Sequence, residues 1–239
     1  DAARLPHRLY GHVPAERRYS VGAWLDAVTA VLGDAERAGA LAIVVGGTGL
    51  YFKALTEGLA ALPPIPPDIR ARWGERLRTE GIAALHAHLG DRDAAAAAAI
   101  RPSDAQRILR ALEVLDATGR PLGAWQQEAP PALLPWDGSV VRLVIEPERD
   151  ELYRRIEARF DAMAAAGGIE EVRALLQRGL DPALPAMKAI GVREFAAFLR
   201  DEVPLEIAVG QAKTATRRYA KRQMTWLRNQ MPDWARVSL

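Results

Sequence analysis

The 239-residue chain contains no cysteine. It therefore has no disulfide framework and no cysteine metal site. Lysine is nearly as scarce: Lys53, Lys188, Lys213 and Lys221 are the only lysines among 32 basic residues, and arginine supplies the others. Arginine is the residue suited to bidentate phosphate binding. No apolar run nears the ~20 residues of a membrane span, and the alanine stretch 94–99 is far too short. Asp1-Ala2-Ala3-Arg4 lacks the apolar segment that opens a secretory leader. A soluble cytoplasmic protein with no membrane partner is expected. No Gly-Lys dipeptide occurs, which excludes a Walker A loop within these residues. A Ser/His/Asp nucleophile elbow and paired carboxylates of distinctive spacing are also missing. His7, His12, His86 and His88 do not follow a metal-ligand spacing and read as structural or surface residues.

Hydrophobic residues make up 49% of the chain, enough for a sizeable core in one large domain or two small ones. The net charge is only +2, but the sequence pI is 9.1. A helix is predicted over 20–38, with Ser20 as N-cap and Trp24, Val28, Val31 and Leu32 on one face. Residues 41–45, Leu-Ala-Ile-Val-Val, read as a strand buried on both faces. A helix from Thr48 to Glu57 follows, closed by Gly58. Prolines at 63, 64, 66 and 67 mark one break, and Pro130, Pro131 and Pro135 a second. Residues 68–128 between them read as almost all helix. Ser103-Asp104-Ala105-Gln106 is a capping-box pattern, and Ile108, Ala111, Leu112 and Leu115 form a stripe behind it. Residues 140–145 are strand-like, and helices are predicted at 150–165, 169–178, 190–201 and 205–229. The pattern is α/β with a helical subdomain inserted between proline hinges.

Four stretches carry candidate chemistry, each beside a plainer reading. Gly46-Gly47-Thr48 turns a strand into a helix, where free N–H groups and the helix dipole attract anions. It is equally a tight turn with a threonine N-cap. The helix 207–230 carries Lys213, Arg217, Arg218, Lys221, Arg222 and Arg228, with no acidic residue between Glu206 and Asp233. Its cations fall on one half of the helical wheel and its apolar residues on the other. Solvated faces usually mix signs, so a polyanion is favoured over a solvated face and over a membrane surface. Gln106-Arg107-Ile108-Leu109-Arg110 could contact phosphates or bases, but more simply forms helical pairs such as Arg110 with Glu113. Residues 185–193, Pro-Ala-Met-Lys-Ala-Ile-Gly-Val-Arg, fit a nucleic-acid contact or an ordinary loop.

Together these stretches resemble one family. Val45-Gly46-Gly47-Thr48-Gly49-Leu50-Tyr51 is similar to the Val-Gly-Gly-Thr-x-Leu-Tyr motif of bacterial tRNA dimethylallyltransferases. Residues 104–113, Asp-Ala-Gln-Arg-Ile-Leu-Arg-Ala-Leu-Glu, resemble their Asp-x-Gln-Arg-x-x-Arg-Ala-Leu-Glu. Ala189-Ile190-Gly191-Val192-Arg193 resembles their Val-Gly-Tyr-Arg segment, with valine in place of tyrosine. Residues 216–228 resemble their Thr-Arg-x-x-Ala-Lys-Arg-Gln-x-Thr-Trp-Leu-Arg. Pro6-His7-Arg8-Leu9 and Tyr19-Ser20-Val21 also fit, so the likeness spans the whole chain in order.

The resemblance implies transfer of a dimethylallyl group from its diphosphate to N6 of the adenosine 3′-adjacent to the tRNA anticodon. The implied fold is a P-loop-kinase-like α/β parallel-sheet core with an inserted helical domain. On this chain that gives core at 1–64, a tRNA-binding helical insertion at 65–138, and core with basic tRNA-binding helices at 139–239. Thr48 takes the catalytic position, and Gly46, Gly47 and Arg217 the diphosphate. Arg70, Gln106, Arg107, Ile108, Leu109 and Arg110 take tRNA. So do Lys188, Ala189, Ile190, Gly191, Val192 and Arg193. The last tRNA segment is Lys221, Arg222, Gln223, Met224, Thr225, Trp226, Leu227 and Arg228. The implied partners are the tRNA anticodon stem-loop and dimethylallyl diphosphate, with Mg2+ as cofactor and a monomer as the working form. The family's P-loop and its Asp-Ser-x-Gln-x-Tyr segment, which carries the aspartate thought to act as general base, fall upstream of Asp1. The expectation is thus an N-terminally incomplete member, inactive or nearly so alone, with an exposed sheet edge where the first strand is missing. The alternatives are a non-catalytic RNA-binding remnant, an adenylate prenyltransferase, and a small-molecule kinase of similar core.

Overall fold

The computed structural model describes residues 5–134 and 137–238. Asp1–Arg4 and Pro135, on which two of the sequence readings fall, lie outside them. Among the described residues the chain is mostly helical, with one two-stranded parallel sheet. It divides into two compact units, one of Asp1–Lys53 with Trp136–Leu239, the other of Ala54–Pro135.

The first unit opens with α1, Val21–Arg37. Ser20 caps it by accepting from the Ala23 N–H, and Gly39, at φ 62°, follows its end. Trp24 and Val28 are buried on its inner face. The Trp24 ring stacks on Tyr51 of α2, Gly49–Glu57, at 4.3 Å between centroids. Strand β1, Leu143–Ile145, pairs in parallel with β2, Ala235–Val237, in the register Leu143↔Ala235. Helix α7, Arg149–Met163, and α8, Ile169–Gln177, are joined by a kink in Ala164–Gly168, where Gly167 takes φ 99°. Helix α9, Val192–Leu199, and α10, Leu205–Gln230, complete the unit. Its core gathers Phe160, Val172, Phe195, Ala208 and Ala212.

The second unit is the helical one. It holds α3, Pro67–Arg92, α4, Ala94–Ala99, α5, Ala105–Thr118, and α6, Leu122–Gln127. Gly81, at φ 79°, interrupts α3, so that helix is two segments in sequence. The core is Ile65, Ile69, Trp73, Leu85, Leu89, Ile108, Ala111, Leu112 and Val114. The entering and leaving chains lie side by side: Leu134 N–H donates to the Leu55 carbonyl at 2.9 Å. A Cβ on Gly58 would stand 2.1 Å from the Pro130 carbonyl oxygen, so only glycine allows that approach. Trp73 Nε1, Arg72 and Arg92 all donate to Asp116.

Three expectations change. Residues 41–45 form no strand: no ladder partner flanks them among the described residues, and Leu41, Ile43 and Val45 are 87%, 75% and 76% exposed. An apolar run becomes a buried strand only when neighbouring strands satisfy its backbone. β1 is confined to Leu143–Ile145, with Leu143 and Ile145 on an exposed face. The N-cap of α5 is Asp104 rather than Ser103, since the Asp104 carboxylate accepts from the Arg107 N–H at 3.1 Å.

Candidate nucleic-acid interface and glycine turn

In the first unit the glycine turn and α10 are built against each other. Gln223 Nε2 donates to the Gly47 carbonyl at 2.8 Å. A Cβ on Gly47 would fall 2.1 Å from Gln223 Nε2, and one on Gly49 would fall 2.0 Å from two carbons of the Trp226 ring. These glycines are there so that α10 side chains can close on the turn. Gly46 meets only Phe52, at an ordinary 3.7 Å. Lys53 Nζ reaches Gln230 Oε1 at 3.1 Å, and Phe52 meets Trp234 edge to face. Thr48 is exposed at the start of α2, and its carbonyl accepts from the Tyr51 N–H. Burial, then the nearby Tyr19, pushes the Tyr51 phenol above its ordinary range, which keeps it neutral.

The cations of α10 do not all face solvent unopposed. Lys213 pairs with Asp161 and Arg217 with Glu157, both on α7, and Arg228 pairs with Glu146. Arg217 also donates to Thr214 Oγ1 at 2.9 Å, so its guanidinium is committed within the fold. Arg218, Lys221 and Arg222 have no carboxylate within ion-pair distance among the described residues. They are exposed at spacings that share one helical face. Arg222 lies 5.6 Å from the Tyr219 ring centroid. Along this flank Lys221, Arg222, Thr225, Trp226, Asn229 and Gln230 line an open depression of 330 Å³. Its Trp226 and Gln230 are the side chains that touch Gly49 and Lys53. Met224 and Leu227 are half-buried, in keeping with the apolar half of the helix.

Residues 188–193 form the entry to α9. Gly191 sits at φ 100° and is buried, and its N–H donates to Glu194 Oε2 at 2.9 Å. A positive φ there requires glycine and turns Lys188, Ala189, Ile190 and Arg193 outward. Val192 is half-buried.

In the second unit, Gln106 and Arg107 are exposed on the first turn of α5, and Arg70 is exposed on α3. Leu109 and Arg110 are half-buried, while Ile108 is fully buried and supports the helix from within. Arg110 stands 3.9 Å from Glu113. Burial raises the Glu113 carboxyl above its ordinary range, and the charges of Arg70 and Arg110 only partly offset that. The sequence reading singled out the stretches that carry Arg70, Arg107, Lys188, Arg193, Arg218, Lys221 and Arg222, all exposed here. It missed Glu157, Asp161 and Glu146, since no pattern within α10 reveals carboxylates that other elements bring to it.

The family model for IPP transferase matches residues 1–230. The chain belongs to the IPP transferase family. A tRNA dimethylallyltransferase of Bradyrhizobium sp. (strain BTAi1 / ATCC BAA-1182) is 54% identical over 236 residues, covering 98% of this chain and 77% of that protein. One from Chelativorans sp. (strain BNC1) is 52% identical over 235 residues, covering 98% and 80%. Among solved structures, the full-length tRNA isopentenylpyrophosphate transferase of Bacillus halodurans superposes with a TM-score of 0.64. It is 33% identical, over 98% of this chain and 72% of that one. A eukaryotic dimethylallyltransferase crystallised while acting on tRNA gives 0.77 at 24% identity, over 95% and 58%, and shares the fold.

Proposed function

We propose that the protein transfers a dimethylallyl group from dimethylallyl diphosphate to N6 of the adenosine next to the anticodon on its 3′ side in tRNA. The observation that carries this reading is the docking of the glycine turn on α10. Gln223 and Trp226 hold Thr48 next to a helix whose Arg218, Lys221 and Arg222 are free to meet phosphate. The names of the family's bacterial relatives point to the same activity.

In that reaction the N6 lone pair of adenine attacks C1 of the prenyl group. The C1–O bond breaks with its electrons going to the diphosphate, and one N6 proton is lost to a base. In this reading the Thr48 hydroxyl orients the acceptor or a non-bridging oxygen, and the turn amides and nearby cations oppose the leaving group's developing charge. Arg217 reaches a diphosphate only by exchanging Glu157 for it. Among the described residues no group of three or more His, Asp or Glu gathers to hold Mg2+, so no step is assigned to a metal. Residues 65–138 serve as the insertion that contacts the RNA through Arg70, Gln106, Arg107 and Arg110, between core segments 1–64 and 139–239. Lys188 and Arg193 add cations from the entry to α9.

Labelled dimethylallyl diphosphate and an anticodon stem-loop test the reading. Label should pass to the RNA. Thr48→Ala should slow transfer by about 100-fold, the scale for losing one transition-state hydrogen bond, with little change in RNA binding. Equal loss of transfer and binding refutes the role of Thr48. Binding with no transfer leaves the protein an RNA-binding member only, and transfer to free adenine nucleotides in preference to RNA refutes the tRNA assignment.

A further inference from the structure

A second cleft lies beside the first along α10 and shares Lys221 and Thr225 with it. Glu146, Pro147, Arg149, Leu152 and Tyr153 form one wall, and Lys221, Met224, Thr225 and Arg228 the other, around 270 Å³. None of the first five belongs to a stretch assigned above to RNA or to the diphosphate.

We propose that this cleft seats a single unpaired RNA nucleotide, its base against Tyr153 and its phosphate between Arg149 and Lys221. The proposal rests on the RNA-binding reading above and extends it to α7. Its volume falls near the lower end of small-ligand pockets, about 300 Å³, so it suits one base rather than a base pair. Pro147, Leu152 and Met224 supply an apolar lining, as the face of a base requires. Tyr153 is half-buried, which holds its ring in place, and Arg149 lies with its guanidinium 5.2 Å from the ring centroid. Arg149 Nε donates to the Tyr153 hydroxyl at 3.2 Å. A tyrosine ring and a guanidinium plane are the two surfaces on which proteins stack unpaired bases.

The charge agrees. Arg149 and Lys221 have no carboxylate within ion-pair distance among the described residues, while Arg228 is held by Glu146 at 3.1 Å. The three cations of the lining therefore face one carboxylate. Of the other acids near the start of α7, Glu151 is taken up by Arg154 and Arg155. Asp150 and Glu148 are exposed beside it and lie outside the lining. The Thr225 hydroxyl donates to the Lys221 carbonyl, at 2.9 Å. Glu146 is the one carboxylate of the lining and can accept from an amino group on a base; cytosine N4 is the standard donor to a carboxylate.

The test uses the whole chain, an anticodon stem-loop, and variants on the α7 side of the cleft. Tyr153→Leu should weaken RNA binding by about 5- to 100-fold, the range for losing one stacked base, while Tyr153→Trp should retain it. Arg149→Ala should weaken binding and lower the slope of log affinity against log salt by about one. RNA carrying 4-thiouridine in the loop should crosslink to a peptide containing Tyr153. Wild-type affinity in Tyr153→Leu and Arg149→Ala, with no crosslink there, overturns the cleft and leaves the RNA reading intact. Failure of the unsubstituted protein to bind the stem-loop overturns both. Should Tyr153→Leu unfold, Arg149→Ala and the crosslink decide the matter.

Discussion

Gly49→Ala tests the docking of the glycine turn most directly. The added methyl would lie 2.0 Å from two ring carbons of Trp226 and 2.8 Å from a third. Reaching 3.4 Å, where ordinary contact begins, requires the ring to withdraw by about 1.4 Å. Two effects oppose each other. Alanine gains up to about 1 kcal/mol of helix propensity at the start of α2. Overpacking against a large ring costs about 1–3 kcal/mol, and here the obstacle is a rigid indole rather than a flexible tip. The net expectation is a loss of up to about 2 kcal/mol. Trp226 is half-buried, so it has somewhere to go, and its fluorescence should shift to the red as it enters solvent. Urea unfolding with emission spectra gives both quantities, and Gly49→Ala combined with Trp226→Leu should recover most of the lost stability through coupling of the two sites. Transfer to tRNA should fall in the single variant more than RNA binding does. Unchanged stability together with an unchanged emission maximum refutes the close approach.

Other predictions follow from the same contacts. Gly47→Ala should cost less than Gly49→Ala, since it displaces only the tip of Gln223 and forfeits one hydrogen bond of about 0.5–1.5 kcal/mol; an equal or larger loss in the same urea titration counts against it. Lys221→Ala should lower the salt slope of RNA binding by about one, whereas Arg217→Ala should lower it less, because Glu157 already neutralises that guanidinium; equal slope changes refute the distinction. Burial opposes ionisation of Asp116, but its hydrogen bonds from Arg92, Arg72 and Trp73 prevail and hold its carboxyl below the ordinary range. Its folded pKa being depressed, its stabilisation is present above about pH 4 and fades as pH falls through the folded value. Asp116→Asn should destabilise the protein by about 1–3 kcal/mol at pH 7 and progressively less below pH 4; a penalty independent of pH overturns that.

The helices were legible because their signals are local. The stripe Ile108, Ala111, Leu112 and Leu115 is the buried face of α5, and residues 205–229 fall within α10. Ser103 lost the cap to Asp104 because an adjacent carboxylate accepts the same kind of N–H, a choice decided by one rotation of the chain. Leu41 to Val45 carried the composition of a buried strand, but a strand is a relation between segments, and composition does not supply the neighbour. The glycines of the turn were read as an anion site or a plain tight turn, and neither reading names the side chains that close on them. What approaches is Gln223 and Trp226, 176 and 177 positions further on, and no spacing rule reaches that far. The same distance hid the carboxylates that neutralise Lys213 and Arg217.

Those neutralised cations have a consequence for selectivity. Lys213, Arg217 and Arg228 each already hold a carboxylate, so an incoming phosphate there must evict one anion to gain another. Arg218, Lys221 and Arg222 ask for no such exchange. A sparse or singly charged anion therefore settles only on the free trio. A rod of closely spaced phosphates can displace the carboxylates in succession, each eviction helped by the phosphate already bound beside it. On the proposed reading, the helix should thereby grade its ligands by linear charge density, responding weakly to free nucleotides and steeply to a folded nucleic-acid backbone.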